Sequence, residues 1–195
     1  FGTIDLESNA FYSNYSTNKH KTFLTNDIIW SPSSRITKSG FVNSLTGMIR
    51  NINYETKNTD DYKNDNTVNE IHSVLSHKTS FPLKKDGINF SKIFSPNFML
   101  RYAPGSMRNL SSKDVMLSYS NLYALNKTSE IEDGLSAIVG FDYKINEKKD
   151  GSTFEKFALS IGQVFNQKLN RDMPAKSSLD QKTSDVVGTI NYNFS

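Results

Sequence analysis

The feature that most restricts this chain is a period-two alternation around residue 140. Apolar side chains recur at Leu135, Ala137, Val139, Phe141, Tyr143 and Ile145, with Ser136, Ile138, Gly140, Asp142 and Lys144 between them. Successive side chains of an extended strand point to opposite faces, so this segment predicts one apolar and one mostly polar face. The pattern returns in Phe157, Leu159 and Ile161 against Ser160 and Gly162. It returns again in Val186, Ile190, Tyr192 and Phe194 against Thr189, Asn191 and Asn193. Phe98, Leu100 and Tyr102 alternate likewise, and Ile4, Leu6, Ala10 and Tyr12 do so more weakly. Residues 21–30 and 36–52 are strand-rich but mixed, which leaves their facing open. Helix is nearly absent: even 70–77 carries enough Ser and β-branched residues to read as strand.

Connections alternate in length. Lys84-Lys85-Asp86-Gly87 and Lys148-Lys149-Asp150-Gly151 are near-identical turns, in which Asp-Gly supplies the positive φ of tight hairpins, and Ser31-Pro32-Ser33-Ser34 is a third short breaker. Longer polar stretches run from Glu55 to Asn69, Ala103 to Asp114, Asn126 to Asp133 and Lys168 to Thr183. Short turns taking turns with long loops along antiparallel strands is the pattern of outer-membrane barrels. The reading is all-β: about eight antiparallel strands of a larger transmembrane barrel, with 1–195 as one partial barrel domain. A soluble β-sandwich that binds carbohydrate shares these lengths and stays open on pattern alone.

Composition narrows the partners. Only 36% of residues are hydrophobic yet 12% are aromatic, which suits sheets with one apolar face better than disorder. A net charge of +3, with both signs interspersed, gives no reason to expect nucleic acid. Cysteine is absent, so disulfides, thiol nucleophiles and thiolate metal sites are excluded within these residues. No apolar run approaches the length of a membrane helix. Both ends are strand-like, Phe1-Gly2-Thr3-Ile4 and Ile190-Asn191-Tyr192-Asn193-Phe194, which reads as a portion of a longer protein.

From about residue 80 onward a series of short motifs runs in order: Asn121-Leu122-Tyr123, Glu130-Ile131-Glu132-Asp133-Gly134, Gly140-Phe141-Asp142-Tyr143, Gly162-Gln163 and Ser184-Asp185-Val186-Val187-Gly188. In this order they resemble the LptD family of lipopolysaccharide-assembly barrels. Leu117-Ser118-Tyr119-Ser120-Asn121-Leu122-Tyr123-Ala124-Leu125-Asn126-Lys127 is similar to that family's Asn-Leu-Phe and Asn-Arg segment. Glu130-Ile131-Glu132-Asp133-Gly134, followed by Gly140-Phe141-Asp142-Tyr143, is similar to its Arg-Ile-Glu-Gly-Gly and Gly-Leu-x-Tyr run. Gly162-Gln163 resembles its Gly-Gln strand, and Ser184-Asp185-Val186-Val187-Gly188 its Ser-Asp-x-x-Gly opening. Phe81-Pro82-Leu83 and Ser95-Pro96-Asn97-Phe98 look like an upstream turn and strand. The 126–134 loop is shorter than usual. Glu130 stands where the family has Arg, which puts any loop-to-lumen salt bridge from that Arg in question.

The resemblance implies a very large outer-membrane barrel, plugged by an LptE-like lipoprotein and preceded by a periplasmic β-jellyroll. Lipopolysaccharide would arrive from an LptA-like periplasmic bridge and leave sideways between the first and last barrel strands. This chain would be a middle block of the wall, surrounded by outer-membrane lipid. Ser136, Asp142, Lys144 and Ser160 are the expected lumen-facing residues. Another porin or receptor barrel is the alternative.

No catalytic arrangement or cofactor motif is apparent. His72 and His77 are spaced for neither a helical zinc pair nor one strand face, and His20 is isolated. Asp60-Asp61 reads as a solvated loop. Glu130, Glu132 and Asp133 read as a strand cap that orients a loop. Gly134, Gly140, Gly162 and Gly188 sit in or at the ends of strands, where bending the wall is the expected role.

Overall fold

A computed structural model of the chain describes residues 1–59, 62, 67–128, 130–149 and 151–194. The Asp60-Asp61 pair and Asp150 lie outside these. Ten strands form one antiparallel sheet: β1 (Thr3–Tyr15), β2 (Lys19–Ser31), β3 (Arg35–Ile36), β4 (Val42–Lys57), β5 (Val68–Ser80), β6 (Leu83–Asp86), β7 (Phe90–Ala103), β8 (Gly134–Lys149), β9 (Ser152–Asn166) and β10 (Val187–Tyr192). The path through the sheet is β1-β2-β4-β5-β7-β8-β9-β10, with β3 on β4 and β6 on β7. The eight-strand expectation matches this path, because β3 and β6 prolong β2 and β5 beyond Pro32 and Pro82.

Proline explains both interruptions. It has no N–H to give a ladder, so pairing lapses on the side that N–H would have served. Pro96 of β7 sits at the seam between β5 and β6, where Phe81 N donates to its carbonyl at 3.0 Å.

The short connections 32–41, 81–89 and 150–151 share one end of the sheet. The long ones, 58–67, 104–133 and 167–186, share the other with the tight turn 16–18. Two details differ from expectation. The stretches 103–114 and 126–133 belong to one connection, 104–133, with no strand between them. The second Asp-Gly turn uses a left-handed glycine, Gly151 at φ 77°, whereas Gly87 is not left-handed and its N–H bonds Phe90 O at 2.8 Å.

The two faces are covered the opposite way from a soluble sheet. The polar-containing face of β7–β9, with Asn97, Arg101, Ser136 and Ser160, is buried under the long connections. The apolar face is bare: Leu6, Ile4, Val139, Leu100 and Ile190 are all exposed, Ile190 by 68%. The covered side is the loop face and the uncovered side the bare face.

The bare face also records strand tilt. Ile4, Trp30, Gly47, Leu75, Tyr102 and Leu135 lie on one row of directly opposed residues. On β1 the apolar positions Leu6, Ala10 and Tyr12 extend from this row toward the long connections. On β8 Ala137 to Ile145 extend toward the short turns. The band's centre thus moves by roughly 30 Å along the strands over about 24 Å across them, a tilt on the order of 45°.

Candidate functional site

The loop face carries the only extended polar core among the described residues, and the 104–133 connection builds it. Its anchor is Leu122, which is 0% exposed and packs with Met99, Ile138, Val164, Met173 and Leu179. Gly140 and Gly162 stand directly opposite each other on β8 and β9 and make the seat. A Cβ on Gly162 would run into Leu122 Cδ2, and one on Gly140 would lie 2.5 Å from the Tyr123 hydroxyl. Beside the expected bending of the wall, these two glycines allow close approach of the chain's own loop and, at Gly140, of Ile161 O. Gly134, at φ 98°, turns the loop into β8, and a Cβ on Gly188 would press on Ser160 O at 2.7 Å.

Asp142 is the hub beside this seat. It accepts hydrogen bonds from Asn97 Nδ2 (2.7 Å), the Tyr119 hydroxyl (2.6 Å) and Ser160 Oγ (2.6 Å). Burial, with this bond to Asp142, pushes the Tyr119 phenol well above its ordinary range. Burial raises Tyr123 to about 12. Lys78 Nζ lies over the Tyr123 ring, 4.1 Å from its centroid. Asn121 braces the turn, accepting from Ser118 N at 2.8 Å and donating to Met116 O and Lys127 O at 3.0 and 3.2 Å. Asn126 lies in the bend that follows.

A buried charge cluster fixes the loop's return. Arg101, 2% exposed, donates to Leu125 O at 2.7 Å and Glu132 O at 2.9 Å and pairs with the Glu132 carboxylate at 2.8 Å. Glu132 also accepts from Thr128 N at 2.8 Å. Lys127 is buried beside them, and desolvation lowers it to about 8 despite the Glu132 charge. Asp133 accepts from Asn170 at 2.6 Å and pairs with Lys168 at 3.1 Å, tying in the 167–186 connection.

Nearer the long-connection end, Arg108 lies over the Tyr54 and Tyr62 rings and pairs with Glu70 at 2.9 Å and Glu130 at 3.2 Å. Those carboxylates hold the Arg108 guanidinium above its ordinary range against the cost of burial. Glu130 also faces Arg50 at 4.0 Å, which is paired with Asp27 at 2.7 Å. A loop-to-wall bridge thus exists with its polarity reversed, the acid on the loop and Arg50 on the wall. A hollow of about 590 Å³ lies beside Arg108, lined by Tyr54, Glu70, His72 and Met107.

The structure puts some of the residues singled out in the sequence on one face and others on the opposite face. Ser136, Asp142, Lys144 and Ser160 share the loop face; Lys144, at its exposed margin, pairs with Glu155 at 2.8 Å. Gln163 points to the other face and donates to Ser184 O at 2.6 Å. Ser184 Oγ accepts from Val164 N at 2.9 Å, and Asp185 N donates to Ser178 Oγ at 2.8 Å. His72 meets Glu70 on the loop face at 3.5 Å, His77 lies on the bare face, and His20 is near Glu55 at 3.7 Å. Sequence reasoning missed Arg50, Arg101 and Arg108. The first two did carry a signal, a cation at the loop-face parity of a strand.

The comparison with protein families bears on what such a wall belongs to. The model of the LptD family, described as LPS transport system D, matches residues 3–195. The chain belongs to the LptD family. No curated protein matches it. LptD proteins serve lipopolysaccharide transport and assembly, and the fold here is the all-β antiparallel wall of that family's barrel. Within this LptD chain, Leu122, Glu132, Gly162 and Ser184 are points where the long connections are held to the wall.

Proposed function

We propose that the chain is a block of the wall of the outer-membrane translocon that inserts lipopolysaccharide into the outer leaflet. The observation that carries this reading is the bare, diagonal apolar band backed by a loop-covered polar face. An apolar band about 25 Å tall on tilted strands matches the hydrocarbon layer. Strands paired side to side leave no backbone group unsatisfied within it. The long connections then face outside the cell and the short turns face the periplasm. Ser136, Asp142, Lys144 and Ser160 line the lumen side, and the loops narrow the interior along which a phosphorylated sugar headgroup passes. The exposed loop-face surface of β1, with Asp5, Glu7 and Phe11, is left for an LptE-like plug. An LptA-like bridge would meet the protein through a domain outside these residues.

The test is fractionation of the full-length protein. It should stay with outer membranes through a high-salt wash and migrate faster in SDS gels when unheated. Depletion should then lower surface lipopolysaccharide. A soluble, unshifted protein would overturn the reading. A heat-modifiable barrel whose loss leaves surface lipopolysaccharide intact would make it a porin or receptor instead.

A further inference from the structure

The outward face of a membrane wall should be apolar across the whole band, and on β7, β8 and β9 it nearly is. On β1, β2 and β4 it is not. Ser8, Asn26 and Asn51 stand opposite one another on the bare face. Ser8 Oγ donates to Asn26 Oδ1 at 2.7 Å, Asn53 Nδ2 to Asn51 Oδ1 at 2.6 Å, and Asn69 Nδ2 to Asn53 Oδ1 at 2.5 Å. The five side chains form one polar stripe. It starts at Asn69 and Asn53, near the long-connection ends of β5 and β4, and ends at Ser8 on β1.

Strand tilt makes this stripe descend. Leu6 and Ile28 flank Ser8 and Asn26 on one side, and Ala10, Leu24 and Tyr12 follow on the other. The lower end of the stripe therefore lies inside the apolar band, while Asn53 and Asn69 lie at its outer margin. Each amide carries two N–H donors and an oxygen with two lone pairs, more than a side-by-side ladder can use. Asn51 Nδ2 also reaches Glu70 O at 3.4 Å; whatever these bonds leave over lies on the bare face, where hydrocarbon cannot satisfy it. The stripe is uncharged and mixes donors with acceptors, which matches the hydroxyls and bound water of a headgroup layer rather than a strongly charged protein surface.

We propose that the outer-leaflet headgroup layer follows this stripe downward, so that the polar surface of the bilayer dips over β1–β4 below its level at β7–β9. The inference rests on the membrane orientation given above. Lipid headgroups, with the water they carry, are the occupant, because the stripe is continuous with the outer margin of the band where headgroups already lie.

Single cysteines test it in the full-length protein on intact cells, probed with a water-soluble, membrane-impermeant maleimide and with the unsubstituted protein as blank. These 195 residues contain no native cysteine. Ser8→Cys and Asn26→Cys probe the stripe; Leu100→Cys and Ala137→Cys probe the apolar band at similar depth. A retained heat shift in gels shows that each variant folds. The stripe pair should be labelled about tenfold faster or more than the band pair, since hydrocarbon excludes the reagent. Equal protection of all four overturns the dip while leaving the barrel intact. Equal labelling of all four overturns the membrane wall itself. Protection of the stripe on cells, lost once the purified protein is in phospholipid vesicles, also overturns the dip and assigns the stripe to a protein partner.

Discussion

A glycine pair decides where the loop can rest. Gly162 has no side chain and Leu122 occupies that space; the nearest backbone atom to a new Cβ would be Val139 O at 3.1 Å. Gly162→Ala should therefore expel Leu122 and leave the strand ladder standing. The expected cost is about 1–3 kcal/mol, typical of overpacking a filled core. Protease should then cut within 104–133 in folded protein that keeps its heat shift, whereas the unsubstituted protein resists. Lys127 offers a second prediction, on pH. Its folded value, about 8, lies below its ordinary value. The desolvation cost is thus fully present below pH 8 and fades as pH rises to the unfolded value, because the unfolded chain then holds a proton that the folded chain has lost. The urea midpoint should rise between about pH 8 and about 10, and Lys127→Met should flatten that slope while raising the midpoint at neutral pH. A flat profile in the unsubstituted protein would show that Lys127 is solvated.

At the scale of elements, connection 104–133 behaves as part of the wall rather than as a tether. It has almost no regular structure, yet its Leu122, Tyr119 and Glu132 side chains bear on three different strands, β7, β8 and β9. Arg101 is its main fastener. Arg101→Met should strand the Glu132 carboxylate in a buried site and cost about 3–5 kcal/mol, while the double change Arg101→Met with Glu132→Leu should recover most of that. A urea-denaturation cycle on the refolded protein measures the coupling, and additivity would mean that the pair is not a unit. How far this element was legible follows from its chemistry. The turn chemistry of Asn121 and the return at Glu132–Gly134 stand out as local sequence. That both halves form one strandless element does not, because residues 115–125 carry apolar side chains at intervals that suit a strand. The reason they do not pair is tertiary: β7 and β8 already pair with each other along their full length. Arg108 is illegible for the same reason, since its partners Glu70 and Glu130 are distant in sequence.

Over the whole molecule, alternation fixed the faces of β8 and β9 because six apolar positions in a row admit one register. It left β2 and β4 open because Asn26, Asn51 and Asn53 interrupt their outward face. Strand tilt was not legible at all, since no single strand contains it; it emerges when eight strands are laid in register. Tilt leads to a prediction that an untilted sheet would not make. The row Ile4, Trp30, Gly47, Leu75, Tyr102 and Leu135 runs straight across the strands. If the strands stood upright in a bilayer, every position on that row would sit at one depth and an arginine would cost the same at each. With strands tilted on the order of 45°, the row climbs from the periplasmic half of the band at Ile4 to its outer margin at Leu135. The cost of arginine should peak between Gly47 and Leu75, at about 2–4 kcal/mol, and fall to about 0–1 kcal/mol at Leu135. Trp30→Arg should fall between the peak and Ile4→Arg. Folding free energies of these variants into phospholipid vesicles give the profile. A level profile would mean that the diagonal band does not mark the membrane, and a peak at Leu135 would place the long connections on the wrong side of the tilt.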